Sequence, residues 1–260
     1  LGLVFVFFIS VWNGWVGYMP DMDELSNPID KFASQVYSSD QQLIGTWNAD
    51  NNNRVAIDYN GLSPHLVHAL VATEDERFYE HSGIDFIALG RAVVKRGVMG
   101  QASAGGGSTI TQQLAKQLFS EKAHSTVERL LQKPIEWIIA VKLERHFTKE
   151  EILAMYFNYF DFLHNAVGVK HAANVYFDKE PRKLTVTEAA MLVGLCKNPS
   201  MFNPLRYPER CLQRRNVVLM QMVKSGYVTK AEYEELSQRP LGLHFTKSKP
   251  VSGAGDYFQA

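Results

Sequence analysis

The sequence predicts a mostly α protein, and three observations lead to this prediction. Beyond residue 60, apolar side chains recur every three to four positions, as on one face of a helix. Several of these stretches follow a capping box, in which a threonine precedes a glutamate by three positions. Strand and helix patterns do not alternate, which argues against a doubly wound sheet. The capping boxes begin at Thr148, Thr185 and Thr229.

The composition is that of a folded protein without a nucleic-acid partner. The chain has 260 residues, of which 46% are hydrophobic, enough for one sizeable core or two lobes. Its formal net charge is zero, so bulk attraction to nucleic acid has no support. Cys196 and Cys211 do not make a disulfide framework, and we expect both to be unreactive thiols.

The first 19 residues carry no charged side chain and predict a membrane-spanning helix. A helix of about 20 residues crosses the roughly 30 Å hydrocarbon layer of a bilayer. Trp12, Trp15 and Tyr18 gather towards its end, as in the aromatic belt of a membrane interface. We therefore expect a truncated transmembrane anchor over residues 1–19, with a buried core helix as the alternative.

The following segment, residues 20–60, predicts a small β-ribbon that connects the anchor to a helical body. Residues 35–37, 42–47 and 54–57 have the composition of short strands, and polar residues between them predict turns. The first helix of the body is expected to begin at Pro64, because proline is favoured at the first helical position. Further helices are predicted over residues 85–95 and 127–146.

An acidic cluster closes the first helix of the body. Leu66, Leu70 and Glu74 are spaced by four and therefore share one helix face. If this face turns inward, Glu74 enters a partly desolvated cleft, where a carboxylate becomes a usable base near neutral pH. A solvated charge cluster at the end of an amphipathic helix is the alternative.

A glycine run leads into a polar helix at residues 105–116. Ser108 or Thr109 can cap this helix, and the glycines allow a ligand to approach the backbone closely. Free amide groups at the helix start are expected to attract an anion such as phosphate, and Lys116 adds a positive charge. A flexible linker before an ordinary helix is the alternative. The predicted buried stripe of this helix consists of Ile110, Leu114 and Leu118.

The two segments together match a known pair of motifs. The glycine run continues as Gly-Gly-Ser-Thr-Ile-Thr-Gln-Gln over residues 106–113, and the acidic cluster reads Glu74-Asp75-x-x-Phe78-x-x-His81-x-Gly83. Both patterns resemble the peptidoglycan glycosyltransferases, glycosyltransferase family 51, which form a module of bacterial class A penicillin-binding proteins. The resemblance extends over about residues 63–222.

The resemblance implies a lysozyme-like two-lobed glycosyltransferase fold over residues 61–242. Residues 84–104 would be a membrane-dipping jaw, in which apolar side chains accompany Arg91, Lys95 and Arg96. Residues 243–260 have the composition of a linker, and the family implies a transpeptidase domain beyond it.

The same resemblance implies the site residues. Glu74 would be the base on the 4-hydroxyl of lipid II, while Glu136 and Lys133 would organise the diphosphate of the donor. Gln132 stands where the family has an arginine. No cofactor is required with certainty, and a divalent cation, Mg²⁺ or Mn²⁺, is the candidate. The implied substrate-binding residues are Asp75, Phe78, His81, Gly107, Ser108, Thr109, Thr111, Gln112, Gln113, Lys116, Lys133 and Asn158. From the residue pattern alone, Ile152, Met155, Tyr156 and Tyr159 form a core stripe, and Asn158 is its polar exception.

The implied activity is the polymerisation of lipid II into glycan strands by inverting transfer, which forms β-1,4 bonds and releases undecaprenyl diphosphate. The expected partners are lipid II, the growing glycan chain and the lipid bilayer. The implied location is the bacterial inner membrane, with a single pass and the catalytic domain on its outer side. A lysozyme-like glycan hydrolase and a catalytically silent membrane scaffold are the alternatives.

Overall fold

The computed structural model describes residue 2 and residues 9–15, 19–20, 34–37, 43–47, 55–97, 107–119 and 126–246. Across these residues the chain is mostly α-helical, as predicted. Short 3-10 turns at Tyr59–Gly61, Phe78–Glu80 and Pro181–Lys183 join some of the helices. The helices are α1 (Pro64–Glu74), α2 (Phe86–Gly97), α3 (Ile110–Phe119), α4 (Thr126–His146), α5 (Lys149–Tyr159), α6 (Val169–Phe177), α7 (Val186–Cys196), α8 (Pro208–Lys224) and α9 (Lys230–Gln238).

The chain divides into two compact units, each built from two stretches of sequence. The first unit comprises residues 1–28 and 73–156, and the second comprises residues 29–72 and 157–260. The first unit contains the end of α1, helices α2 to α4 and most of α5. The second unit contains the strands and helices α6 to α9.

The predicted transmembrane anchor lies largely outside the described residues. Residues 9–12 are helical, and within them Val11 is buried. The ammonium group of Lys142 lies 5.2 Å from the ring centroid of Trp12 in the same unit, a cation–π distance. Among the described residues there is no helix with both the length and the apolar run that a membrane crossing needs.

Two strands lie in the segment for which a β-ribbon is predicted. β1 (Ser34–Tyr37) and β2 (Leu43–Trp47) pair antiparallel in a two-stranded sheet. The prediction of a third strand is wrong, since the described residues 55–58 form none. The Asn158 side chain instead donates to the carbonyl oxygen of Ile57 at 2.8 Å and accepts from its amide at 3.2 Å. One carboxamide thus satisfies both backbone groups that a neighbouring strand would otherwise pair.

The core of the first unit forms where α3 packs against α4. The predicted stripe on α3 is buried as expected, because Ile110 and Leu114 are fully covered and Leu118 nearly so. Helix α4 continues through Pro134. Its contribution to the core consists of Ile138, Ile139, Ala140 and Leu143.

The helix starts follow the local sequence. Thr185 and Thr229 cap α7 and α9 through complete capping boxes with Glu188 and Glu232. At the start of α5, Thr148 accepts from the amide of Glu151, whose carboxylate accepts from the amide of Thr148. All three predicted capping boxes are therefore confirmed.

Arg215 on α8 is fully buried and binds the carboxyl end of α9 in the second unit. Its Nη1 donates to the carbonyl oxygens of Arg239 at 2.7 Å and Pro240 at 2.9 Å, and its Nη2 donates to that of Ser237 at 3.1 Å. Burial lowers the pKa of Arg215. The guanidinium donors of Arg215 therefore satisfy carbonyl oxygens at the end of a helix, which would otherwise lack partners.

Both cysteines are free thiols, as predicted. Burial raises the pKa of the Cys211 thiol to about 12, so that the reactive thiolate is scarce near neutral pH. Cys196 is half-buried, and its thiol is directed at the carbonyl oxygen of Leu192.

The last described residues are held on the second unit. The amides of His244 and Thr246 donate to the carbonyl oxygens of Tyr176 and Val175, both at 2.9 Å. The chain therefore stays attached to the end of α6 as far as residue 246.

Gly83 provides a test of the packing in the first unit. Its φ is +89°, and a Cβ built there would lie 2.8 Å from the carbonyl carbon of Ala140 on α4. Gly83→Ala is therefore expected to lower the free energy of unfolding by roughly 1–3 kcal/mol or more, through left-handed strain and backbone overlap. Urea denaturation followed by circular dichroism measures the loss.

Gly90→Ala is the matched control. Gly90 lies within α2, and a Cβ there would have no atom within 4 Å. The same substitution should stabilise this helix by about 0.5–1 kcal/mol. Equal stability of Gly83→Ala and the wild type would contradict the close approach of Gly83 to α4.

Candidate active site

Glu74 is the last residue of α1, and its side chain is half-buried. The Nε2 of Gln113 on α3 donates to Glu74 Oε2 at 3.0 Å. The structure therefore brings together the acidic cluster and the polar helix that the sequence singles out. Both residues belong to the first unit.

Tyr156 on α5 completes this chain of contacts. Its hydroxyl donates to Gln113 Oε1 at 3.1 Å, and the tyrosine itself is fully buried. The sequence pattern assigns Tyr156 to a core stripe, and burial confirms that part. The contact with Gln113 was missed, because the two residues are 43 positions apart and only the polar tip of the tyrosine hints at it.

Asp75 ties the acidic cluster to the start of α3. Its buried carboxylate accepts from His81 Nε2, which lies 3.0 Å from both oxygens, and from the amide of Ile110 at 3.0 Å. Ile110 is the first residue of α3, so the carboxylate sits where the helix dipole favours negative charge. Asp75 and His81 are therefore bonded to each other and to the start of α3, and their expected contact with a substrate stays a prediction.

The start of α3 is capped from within the chain. Thr109 Oγ1 accepts from the amide of Gln112 at 3.1 Å, and Gln112 Oε1 accepts from the amide of Thr109 at 3.3 Å. The prediction that Thr109 can cap the helix is confirmed. The amides of Thr109, Ile110 and Gln112 thus have partners within the protein, and the expected binding of a phosphate at this helix start stays a prediction.

The loop before α3 is packed against its neighbours. Thr109 Oγ1 also donates to the carbonyl oxygen of Gly83 at 2.7 Å. A Cβ on Gly107 would lie 3.2 Å from the Cα of Leu89 and 3.3 Å from the Cβ of Ala92, so Gly107 allows the loop to approach α2. Ser108 is half-buried beside it, and residues 105 and 106 lie outside the described range.

Several residues expected to touch a substrate are buried. Phe78 is fully buried, with the Lys149 ammonium 4.2 Å from its ring centroid. Thr111 is fully buried and donates to Glu144 Oε1 at 2.5 Å. These side chains have almost no exposed surface and pack or bond within the protein, so their expected contact with a substrate stays a prediction. The residues concerned are Phe78, Thr111, Gln112 and, through its bonds to Ile57, Asn158.

Lys149 and Glu144 form an ion pair that the sequence analysis missed. Lys149 Nζ lies 2.8 Å from Glu144 and donates to the carbonyl oxygen of His81 at 2.7 Å. The Glu144 side chain is nearly covered, so its charge needs both Lys149 and the Thr111 hydroxyl. A pairing across the turn between α4 and α5 leaves no periodic signal in the sequence.

Lys133 and Glu136 lie one helical turn apart on α4, as predicted. Lys133 Nζ is 2.5 Å from Glu136 Oε2, the carboxylate is buried, and the lysine side chain is 44% exposed. Lys116, on α3, is exposed. The part of the chain that the structure describes holds no cluster of three or more His, Cys, Asp or Glu side chains suited to a metal ion. Glu136 has the Lys133 ammonium as its partner, and the expected divalent cation stays a prediction.

The chain matches the model of the transglycosylase family over residues 40–223. It belongs to this family. The expected membership of the peptidoglycan glycosyltransferases of the class A penicillin-binding protein type is thereby confirmed.

Relatives of this transglycosylase domain include much longer proteins. It is 41% identical over 254 residues to penicillin-binding protein 1A of Aquifex aeolicus strain VF5. This match covers 97% of the chain and 33% of that protein. It is 37% identical over 227 residues to penicillin-binding protein 1A of Escherichia coli strain K12. This match covers 87% of the chain and 26% of that protein. The crystal structure of penicillin-binding protein 1A from Haemophilus influenzae matches 84% of the chain and 22% of its own, with 24% identity and a TM-score of 0.44. The chain thus spans a third or less of the length of these proteins.

Asp75→Ala tests the role of the buried carboxylate. The change leaves the His81 ring and the Ile110 amide without their acceptor, which should cost roughly 1–3 kcal/mol for each buried donor. We expect a lower melting temperature and faster hydrogen exchange at the Ile110 amide, measured by NMR. The matched control is Glu80→Ala, whose side chain is 63% exposed and pairs with Arg77. Unchanged protection of the Ile110 amide in Asp75→Ala would contradict the assignment.

Proposed function

We propose that this domain polymerises lipid II into glycan strands by inverting glycosyl transfer, forming β-1,4 bonds and releasing undecaprenyl diphosphate. Membership of the transglycosylase family supports the reaction class. The observation that carries the proposal is the half-buried carboxylate of Glu74, held by an amide N–H of Gln113.

Glu74 supplies the base that this reaction needs. As the 4-hydroxyl of the acceptor sugar attacks the anomeric carbon of the donor, a positioned carboxylate takes its proton. The half-buried side chain keeps a surface from which it can reach a bound sugar, and its contact with Gln113 limits its rotation. The arrangement is analogous to that of inverting glycosidases, with a sugar hydroxyl in place of the attacking water.

The lysines meet the charge of the leaving diphosphate. Two of the first amides of α3, those of Ile110 and Gln112, are engaged by Asp75 and Thr109, so this task is assigned mainly to lysines. Lys133 and Lys116 both reach the surface, and positive groups preplaced near a developing negative charge lower the barrier. Glu136 is a positioning residue here, since its buried carboxylate holds the Lys133 ammonium.

Helix α2 supports contact with a membrane. It exposes an apolar surface in which Phe86 is 71% exposed, with Ile87, Val93 and Val94 also exposed and Arg91 beside them. Apolar side chains with a cation suit the interface of an anionic bilayer, where the lipid-linked substrate resides. The domain accordingly acts at the outer side of the bacterial inner membrane. A single-pass anchor and a transpeptidase domain elsewhere in the protein stay predictions.

Glu74→Gln tests the function directly. The variant keeps an oxygen that can accept from Gln113 but cannot take a proton, so polymerisation should fall by at least the roughly 10²–10⁴-fold of one general base. The assay supplies labelled lipid II in detergent, with and without Mg²⁺ or Mn²⁺, and resolves glycan products on a gel. Glu76→Gln, at an exposed position two residues further on, is the matched control and should retain full activity.

The outcome also separates the alternatives. Near-normal polymerisation by Glu74→Gln, with an unchanged melting temperature, would remove Glu74 as the base. If the wild-type chain released short fragments from finished peptidoglycan and left lipid II untouched, the protein would be a hydrolase. If it did neither, the scaffold function would stand.

A further inference from the structure

The contact that holds Glu74 does not end at Gln113. The carboxamide of Gln113 has two different ends: Nε2 faces Glu74 at 3.0 Å, and Oε1 faces the Tyr156 hydroxyl at 3.1 Å. All three residues lie in the first unit. From this arrangement we infer that Tyr156 is a positioning residue for the proposed base, acting on Glu74 through Gln113. The inference rests on the proposed function.

The orientation of the amide follows from the groups on either side of it. A carboxylate only accepts hydrogen bonds, so Glu74 requires the N–H end of Gln113. Turning the amide by 180° would set its oxygen against the carboxylate, two acceptors face to face. The Tyr156 hydroxyl donates to the amide oxygen and thereby stabilises the orientation that Glu74 requires.

Tyr156 is suited to this role because it cannot move easily. Its ring is fully buried on α5, whereas Gln113 and Glu74 are half-buried at the surface of the unit. A glutamine side chain has several rotatable bonds and loses rotamer entropy when it is fixed. Without the hydroxyl, the amide oxygen of Gln113 would accept hydrogen bonds from water instead. The side chain would rotate more freely, and its N–H group would donate to solvent as well as to Glu74. The hydroxyl of the buried tyrosine thus limits the motion of the Gln113 amide and, through it, the motion of the Glu74 carboxylate.

The expected consequence is a loss of turnover without a loss of binding. The carboxylate would adopt the productive orientation in a smaller fraction of enzyme–substrate complexes, and small misplacements of a base are costly. Substrate contacts elsewhere remain. For Tyr156→Phe we expect kcat to fall roughly tenfold, with KM for lipid II unchanged, as for an interaction that matters in the transition state.

The matched control is Tyr176→Phe in the second unit. Tyr176 is also fully buried, and its hydroxyl donates to the carbonyl oxygen of Phe162 at 2.6 Å. Both substitutions remove one buried hydroxyl contact, but only Tyr156 touches Gln113. Tyr176→Phe should therefore keep the wild-type kcat. An equal fall in kcat for both variants would overturn the inference, because it would show a general loss of stability.

A double-mutant cycle shows whether Tyr156 acts through Gln113. Gln113→Ala, at a half-buried position, should lower kcat at least as far as Tyr156→Phe does. In the Gln113→Ala background, Tyr156→Phe should have no further effect, since the intermediate group is gone. If the two effects multiply, Tyr156 acts by another route and the inference fails.

A spectroscopic readout separates this inference from the proposed function. In the two-dimensional ¹⁵N spectrum, the side-chain NH₂ signals of Gln113 should shift in Tyr156→Phe and stay in place in Tyr176→Phe, whether or not the protein is active. If the Gln113 signals were unchanged in Tyr156→Phe and Glu74→Gln still abolished polymerisation, the inference would be overturned and the proposed function would stand. An active Glu74→Gln variant would instead remove the proposed base, while the Gln113 signals still report the contact with Tyr156.

Discussion

The arrangement of the site in the first unit depends on the hydrogen bonds of the buried Asp75 carboxylate. It accepts from the side chain of His81 and from the first amide of α3, and it directly follows Glu74 in the chain. A buried carboxylate is tolerated only when its acceptor oxygens are well supplied with donors. The helix start and the imidazole provide them, and the helix dipole adds to the stabilisation. The orientation of the residue before it, and thus the approach of Glu74 to Gln113, follows from this fixed point.

This arrangement assigns separate tasks to adjacent carboxylates. Asp75 is buried and engaged within the protein, whereas Glu74 is half-buried and reaches the surface. The same separation appears on α4, where buried Glu136 holds the more exposed Lys133. In both places a covered acidic group is bonded within the protein, and its neighbour in sequence or on the same helix face keeps exposed surface.

Features governed by neighbouring residues were predictable from the sequence. The capping boxes at Thr148, Thr185 and Thr229, the start of α1 at Pro64 and the buried stripe of α3 all depend on contacts within one or two helical turns. The motifs also singled out the segments that meet at Glu74 and Gln113.

What could not be predicted depends on pairings between distant positions. The amide of Ile110 is reached by Asp75 from 35 positions away, and Ile57 is paired with Asn158 from 101 positions away. A free helix start and an occupied one have the same local sequence, so only the fold reveals that Asp75 takes the Ile110 amide. Periodicity, likewise, records that Tyr156 is buried but not where its hydroxyl is directed.

The buried guanidinium of Arg215 restricts how this sequence can vary. Its forked donors reach carbonyl oxygens of Ser237, Arg239 and Pro240 at the same time. A lysine has the same charge, but its single ammonium group cannot span three acceptors spread over that distance. Exchange of arginine for lysine, harmless on most protein surfaces, would here remove hydrogen bonds that join α8 to the carboxyl end of α9.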